Sequence, residues 1–171
     1  MMNKVNEVLN EISIRTKLKP GDLGYVIYRH GKLYGDEYNY DIVFETYVAL
    51  AIHEFYKNYN PDIDRVWICE HDNKMVGFLL LMHREDNAAQ LRFFFIEPEY
   101  RGIGLGKKLM ELYMDFLKEK GYQSSYLLTT DELPSAASLY TRHGFKLTEE
   151  KQSTSFGKLL KEQRYDLSFN R

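Results

Sequence analysis

Residues 95–106 read Phe95-Ile96-Glu97-Pro98-Glu99-Tyr100-Arg101-Gly102-Ile103-Gly104-Leu105-Gly106. The aromatic run that leads in, Gln90 to Ile96, has the composition of a strand, and Pro98 stops it because proline has no N–H for a ladder. Beyond the glycines, Leu105, Leu109, Leu112, Tyr113, Phe116 and Leu117 share one face of a helix that Lys118, Lys120 and Gly121 close. A glycine turn therefore joins a strand to an amphipathic helix. Glycines remove side chains, so backbone N–H groups approach a ligand closely. The first turn of a helix leaves N–H groups unpaired and carries partial positive charge. Together these features make an anion site suited to a phosphate or pyrophosphate, with Lys107 and Lys108 alongside.

Three phosphate motifs compete for this turn. Counted from Gly102, the Gly, Lys and Ser/Thr positions of a P-loop hold Lys107, Lys108 and Leu109, so that motif fails. The dinucleotide pattern Gly-x-Gly-x-x-Gly fails at its third glycine, where Lys107 stands, which argues against a nicotinamide-dependent oxidoreductase. The pattern Arg/Gln-x-x-Gly-x-Gly/Ala is met by Arg101, Gly104 and Gly106.

The remainder of the chain sets the context. It has 171 residues, the size of one domain, with 44% hydrophobic and 28% charged residues, so a packed globule is expected and not a disordered chain. Lys and Arg number 23 against 25 Asp and Glu, a net charge of −2, which argues against a nucleic-acid-binding face. The longest apolar run, Met75 to Met82, is far short of a membrane span. The single cysteine, Cys69, lies in an apolar run and reads as a buried, inert thiol in a reducing compartment. A cytoplasmic protein without membrane contact is expected. His53, His71, His83 and His143 show no metal-ligand spacing, so no metal is expected.

Along the chain, Val5, Val8, Leu9 and Ile12 recur at helical spacing before Pro20-Gly21. Gly24 to His30 is rich in β-formers and reads as a strand, and Gly31 to Tyr40 as a polar, aromatic loop. Asp41 caps a helix whose stripe is Phe44, Tyr47, Val48, Ala51, Ile52 and Phe55. Arg65 to Glu70, Met75 to His83 and Gln90 to Ile96 form an antiparallel meander. After the long helix come a strand (Ser124 to Thr130), a short helix opened by Pro134, and strands near Phe145 to Thr148 and Gln163 to Phe169. The sum is a mixed α/β sheet, antiparallel early and crossing over through helices late.

The turn resembles the coenzyme-A-binding signature of the GNAT N-acetyltransferases. Ala136-Ala137-Ser138-Leu139-Tyr140-Thr141-Arg142-His143-Gly144-Phe145 is similar to the family's Ala-x-x-x-Tyr-x-x-x-Gly-Phe segment. The element order agrees over roughly Gly21 to Phe169. A narrower resemblance, through Pro20 to Tyr25, Arg29-His30-Gly31, Glu37-Tyr38 and Ala89 to Arg92, is to the acetyltransferase half of fusions with MarR-type winged-helix regulators. Too few residues precede it here for a winged helix, so a stand-alone version without a DNA-binding role is expected.

The resemblance implies a GNAT-like, mostly antiparallel central sheet with helices on both faces. It implies residues 1–20 as an N-terminal helical extension and 21–171 as the acetyltransferase domain. It implies acetyl-CoA as co-substrate, direct attack by a primary amine of a small molecule, amino acid or peptide, and a strand bulge near Phe94, Phe95 and Ile96 that pairs with the pantetheine arm. The amides of Gly102, Ile103, Gly104, Leu105, Gly106 and Lys107, behind Arg101, would hold the pyrophosphate. Tyr140 matches the general acid for the departing thiolate, and Glu97 is the candidate base. The chain departs from the family at Gln90, where some members carry a glutamate, and at Leu133, where many carry an asparagine. Arg92 either pairs with a structural carboxylate or grips an anionic group on the acceptor. Arg29, His30, Tyr34, Glu37 and Tyr38 are candidate acceptor-side residues. The same features also suit a non-catalytic coenzyme-A-binding regulatory module. A homodimer, if one forms, would pair through a sheet edge or the N-terminal segment.

Overall fold

A computed structural model describes residues 2–170. Helix α1 (Met2–Glu11) leads into β1 (Ser13–Arg15), α2 (Asp22–Tyr38), α3 (Ile42–Lys57), β2 (Arg65–His71), β3 (Lys74–Arg84) and β4 (Ala88–Ile96). A single 3₁₀ turn, Pro98–Tyr100, precedes α4 (Leu105–Lys120), β5 (Ser124–Thr130), α5 (Pro134–Arg142), β6 (Lys146–Ser153) and β7 (Leu160–Ser168). The seven strands form one sheet in the order β1-β2-β3-β4-β5-β7-β6, and only β4 and β5 run parallel.

Both faces of the sheet are covered. Leu79 and Leu81 of β3 join a core with Leu105, Leu109, Tyr113 and Leu117 of α4. Phe78 and Leu80 of the same strand point the other way, into a second core with Val26 of α2 and Val48, Ile52 and Phe55 of α3. Burial on both faces is why Met75 to Met82 reads as a continuous apolar run. Cys69 is fully buried, and burial pushes its thiol pKa up to about 12, so the thiolate is scarce at neutral pH.

The expected strand at Gly24 to His30 and the loop after it are one helix, α2. The β-branched and aromatic content of Tyr25 to Tyr28 is overridden by the positions that meet the core: Val26, His30 and Leu33, at i, i+4 and i+7. One glycine inside α2, Gly31, has a packing use. A Cβ on Gly31 would collide with the Glu45 side chain of α3, so the glycine lets the two helices approach. Asn39, in the left-handed region at φ 57°, ends α2 by donating to the Gly35 carbonyl at 3.1 Å. Asp41 caps α3 as expected, accepting from the Val43 amide at 2.9 Å.

The segment before Pro20 is not only helical. Ser13–Arg15 pairs with Ile68 to Glu70 at the sheet edge. Arg15 fastens it, donating to Asp22 at 2.7 and 2.8 Å and to Glu70 at 2.5 Å. Burial alone would raise the Asp22 pKa; hydrogen bonds from Arg15 and the Lys19 amide outweigh it and hold the carboxyl below its ordinary range.

Candidate active site

Strands β4 and β5 are paired only from Ala88–Ser124 to Leu91–Leu127. Beyond Leu91 they diverge. On the β3 side, Phe78 opposes Phe95 and Leu80 opposes Arg92, so Phe93 and Phe94 share the single partner Leu79. This is a β-bulge, with Phe93 in the left-handed region at φ 54°. The bulge bends β4 away from β5 and opens a cavity of about 970 Å³ bordered by α2, α3, the glycine turn, α5 and the β6–β7 connection.

The glycine turn closes one end. Gly102 (φ 74°) and Gly104 (φ 92°) hold backbone conformations that side-chain-bearing residues rarely adopt. Among the described residues no acceptor receives the amides of Gly102, Ile103, Gly104, Leu105, Gly106 or Lys107; the first bond of α4 is Lys108 N–H to the Gly104 carbonyl at 3.0 Å. Six successive free donors thus sit at the positive end of a 16-residue helix. A Cβ on Gly106 would lie 3.2 Å from Leu139, 3.5 Å from Ile96 and 3.8 Å from Phe94, so this glycine keeps the turn seated against β4 and α5. Ile103 and Leu105 turn their side chains into the core and offer the turn only backbone. Arg101 borders the cavity, but its guanidinium is spent on structure: it donates to the Ile96 carbonyl at 3.0 Å and to both Glu37 oxygens at 2.6 and 3.2 Å.

Tyr140 lies on α5, 6% exposed, among Phe94, Phe145 and Tyr165 with ring centres 6.3 to 6.4 Å away. Its hydroxyl bonds to no described residue, and it lines the cavity. Burial holds its pKa well above the usual phenol range, so it stays protonated at neutral pH. Tyr34 also borders the cavity; burial, then the proximity of Tyr140 and Tyr40, raises its pKa. Tyr38 lines the same wall, and His30 stacks on Tyr34 at 5.8 Å. The Nδ1–H of His30 donates to the Val26 carbonyl at 2.9 Å, and burial lowers the imidazole pKa to about 4.

Two sequence candidates do not reach the cavity. Glu97 is buried, and Arg29 occupies both its oxygens with a guanidinium fork, Nε to Oε1 and Nη2 to Oε2, each at 2.6 Å. The pair ties α2 to the end of β4, and neither residue is among those lining the cavity. Arg92 does line it. Its guanidinium lies 4.7 Å from the Phe93 ring centre and donates to the Tyr47 hydroxyl at 3.1 Å. Gln90 is buried and accepts from Arg84 at 2.7 and 2.9 Å. Tyr47 and Phe156 were not singled out from the sequence as site residues. Tyr47 belongs to the apolar stripe of α3, and Phe156 sits in a polar connection with no motif around it. Among the described residues no cluster of His, Cys, Asp or Glu is disposed to hold a metal ion, and no helix is long and apolar enough to cross a membrane.

The profile of the acetyltransferase (GNAT) family matches residues 27–145. An uncharacterized N-acetyltransferase of Escherichia coli K12, YjgM, is 32% identical over 96 residues, covering 54% of this chain and 58% of its own. The chain spans just over half the length of the first curated relatives it matches. A GNAT-family acetyltransferase from Staphylococcus aureus Mu50 superposes with a TM-score of 0.75 at 23% identity, over 93% of this chain and 99% of the other. A spermidine N-acetyltransferase from Vibrio cholerae, solved with CoA and spermine, superposes at 0.66 with 19% identity, over 93% and 96%. At these identities the structural likeness speaks for the fold.

Proposed function

Since the chain belongs to the GNAT acetyltransferase family, we propose that it moves an acetyl group from acetyl-CoA to a primary amine by direct attack. The observation that carries this is the run of six acceptorless amides, Gly102 to Lys107, at one end of a cavity that also holds the free Tyr140 hydroxyl. Those amides suit a diphosphate. The edge of β4 past Leu91, which β5 does not pair, suits an extended amide-bearing arm. The coenzyme supplies an activated acetyl thioester.

The bulge sets the β4 backbone where its N–H groups stabilise charge developing on the thioester oxygen. The amine nitrogen forms the new C–N bond as the C–S bond breaks; Tyr140 gives its proton to the departing sulfur, and the proton that the new amide nitrogen sheds returns to the Tyr140 oxygen. An alkylammonium of pKa near ~10 is only about one part in a thousand neutral at pH 7. With both Glu97 oxygens held by Arg29, the ammonium proton leaves to water in the cavity. Residues 21–171 form the proposed catalytic unit, with β1 attached to its sheet edge.

The test is calorimetry with acetyl-CoA followed by thiol release across a panel of amines. Binding with turnover is expected. Binding without turnover across the panel would favour a coenzyme-A-responsive regulatory module, and absence of binding would overturn the reading.

A further inference from the structure

We infer that the acceptor carries a carboxylate beside its amine, received by Arg92, and an apolar body that packs on the neighbouring rings. This rests on the acetyl-transfer reading above and names its substrate class. Arg92 is half-buried in the cavity wall, and among the described residues it has no carboxylate partner. The other arginines on the cavity wall differ. Arg101 is paired with Glu37 and Arg164 with Asp166, while Arg142 is exposed on α5. A guanidinium held away from water without a counter-charge is costly, and a ligand carboxylate that supplies the charge recovers that cost with paired, charge-assisted bonds.

The surroundings favour an anion at this spot. Arg84 stands close enough that its charge, after the larger effect of burial, lowers the Arg92 pKa. Gln90 Oε1 already accepts from Arg84 twice and from the Tyr126 hydroxyl at 3.3 Å, so it has no lone pair left for an ammonium. This stretch of the wall therefore presents donors. Among the described residues the carboxylates that border the cavity are Glu37 of α2, which Arg101 holds at 2.6 Å, and Glu149, Glu150 and Glu162 of β6 and β7. Glu150 faces Lys161 at 3.4 Å, Glu162 faces Lys151 at 3.8 Å, and Glu149 is exposed.

The position also fits an acceptor. Arg92 precedes Phe95 by three residues, roughly 10 Å of strand, on the side of the bulge away from the glycine turn. An amine with its carboxylate one or two carbons away spans only about 3 to 5 Å, so the Arg92 guanidinium, 4.7 Å from the ring of Phe93 in the bulge, covers the rest of the distance. Beside Arg92, Tyr47 packs on Phe156 at 5.7 Å and Phe44 on Phe156 at 5.1 Å, a ring-lined wall for an apolar side chain.

The experiment compares initial rates for leucine and phenylalanine with those for leucinamide, phenylalaninamide and spermidine, in the wild type, Arg92→Gln and Arg92→Lys. Calorimetry with CoA verifies that each variant is folded. The wild type is expected to favour each amino acid over its amide by about thirtyfold in kcat/KM, mostly through KM, the scale of a charge-assisted bond left unmade. Arg92→Gln should bring the carboxylate down to the level of its amide, and Arg92→Lys should restore part of the preference.

Equal or better rates with the amides or spermidine would overturn the inference while leaving acetyl transfer standing. So would an Arg92→Gln effect that falls alike on both members of a pair. If neither class is turned over, N-acetylleucine and N-acetylphenylalanine are titrated into the CoA complex; heat that Arg92→Gln abolishes supports the carboxylate site, and no heat overturns it. A wild type that fails to bind CoA removes the transferase reading itself and this inference with it.

Discussion

Tyr140 is a buried phenol whose hydroxyl bonds to no described residue, while its ring packs against three others. Removing that oxygen therefore breaks no hydrogen bond among the described residues. Tyr140→Phe should keep the wild-type melting temperature and CoA affinity while kcat falls roughly tenfold or more, the lower range for a lost general acid. Unchanged kcat would contradict the assignment. Glu97 shows how far a single residue is legible from sequence. It stands after the bulged strand, but both its oxygens are taken up by Arg29, 68 positions earlier. No local pattern announces that partner. Arg92 was readable as a choice between two fates, and the proposed acceptor site rests on its having no carboxylate partner among the described residues.

At the level of elements, the glycine turn and α4 were plain in the sequence because their chemistry is local: three glycines, a helical stripe, and Gly121 in the left-handed region at φ 68° to close it. Gly106 gives this a measurable consequence. Gly106→Val places branched carbon against Leu139, Ile96 and Phe94, pushing the turn off its seat. CoA affinity by calorimetry should fall by roughly tenfold or more, about 1.4 kcal/mol, with the far-ultraviolet circular dichroism preserved; wild-type affinity in a folded variant would count against this role for the turn. Helix α2 was not legible. Tyr25 to Tyr28 have strand composition, Gly31 and Gly35 look like breakers, and only contact with α3 and the sheet makes the helix the better answer. The three-residue β1 escaped for the opposite reason: it is too short to show periodicity and exists by pairing with β2.

The whole molecule carries a pH signature. His30 sits in the core between α2 and β4 with its pKa lowered from 6.5 to about 4 by burial. As pH falls from 6.5 to 4 the unfolded chain takes up a proton that the folded chain refuses, so stability declines, on the order of 3 kcal/mol in all. Asp22, also held low, contributes stability that is present above its unfolded pKa and lost at still lower pH, as its folded pKa is crossed. Urea midpoints should drop between pH 7 and 4.5, and His30→Gln should flatten that drop; a midpoint indifferent to pH would refute it. The sheet has a comparable unevenness. Its two halves, β1 to β4 and β5 to β7, are stitched by only four residue pairs along β4 and β5. A pantetheine arm lying in the open wedge would act as a keystone between the halves, so the enzyme would be stiffest while loaded and loosest just as it lets its spent thiol go.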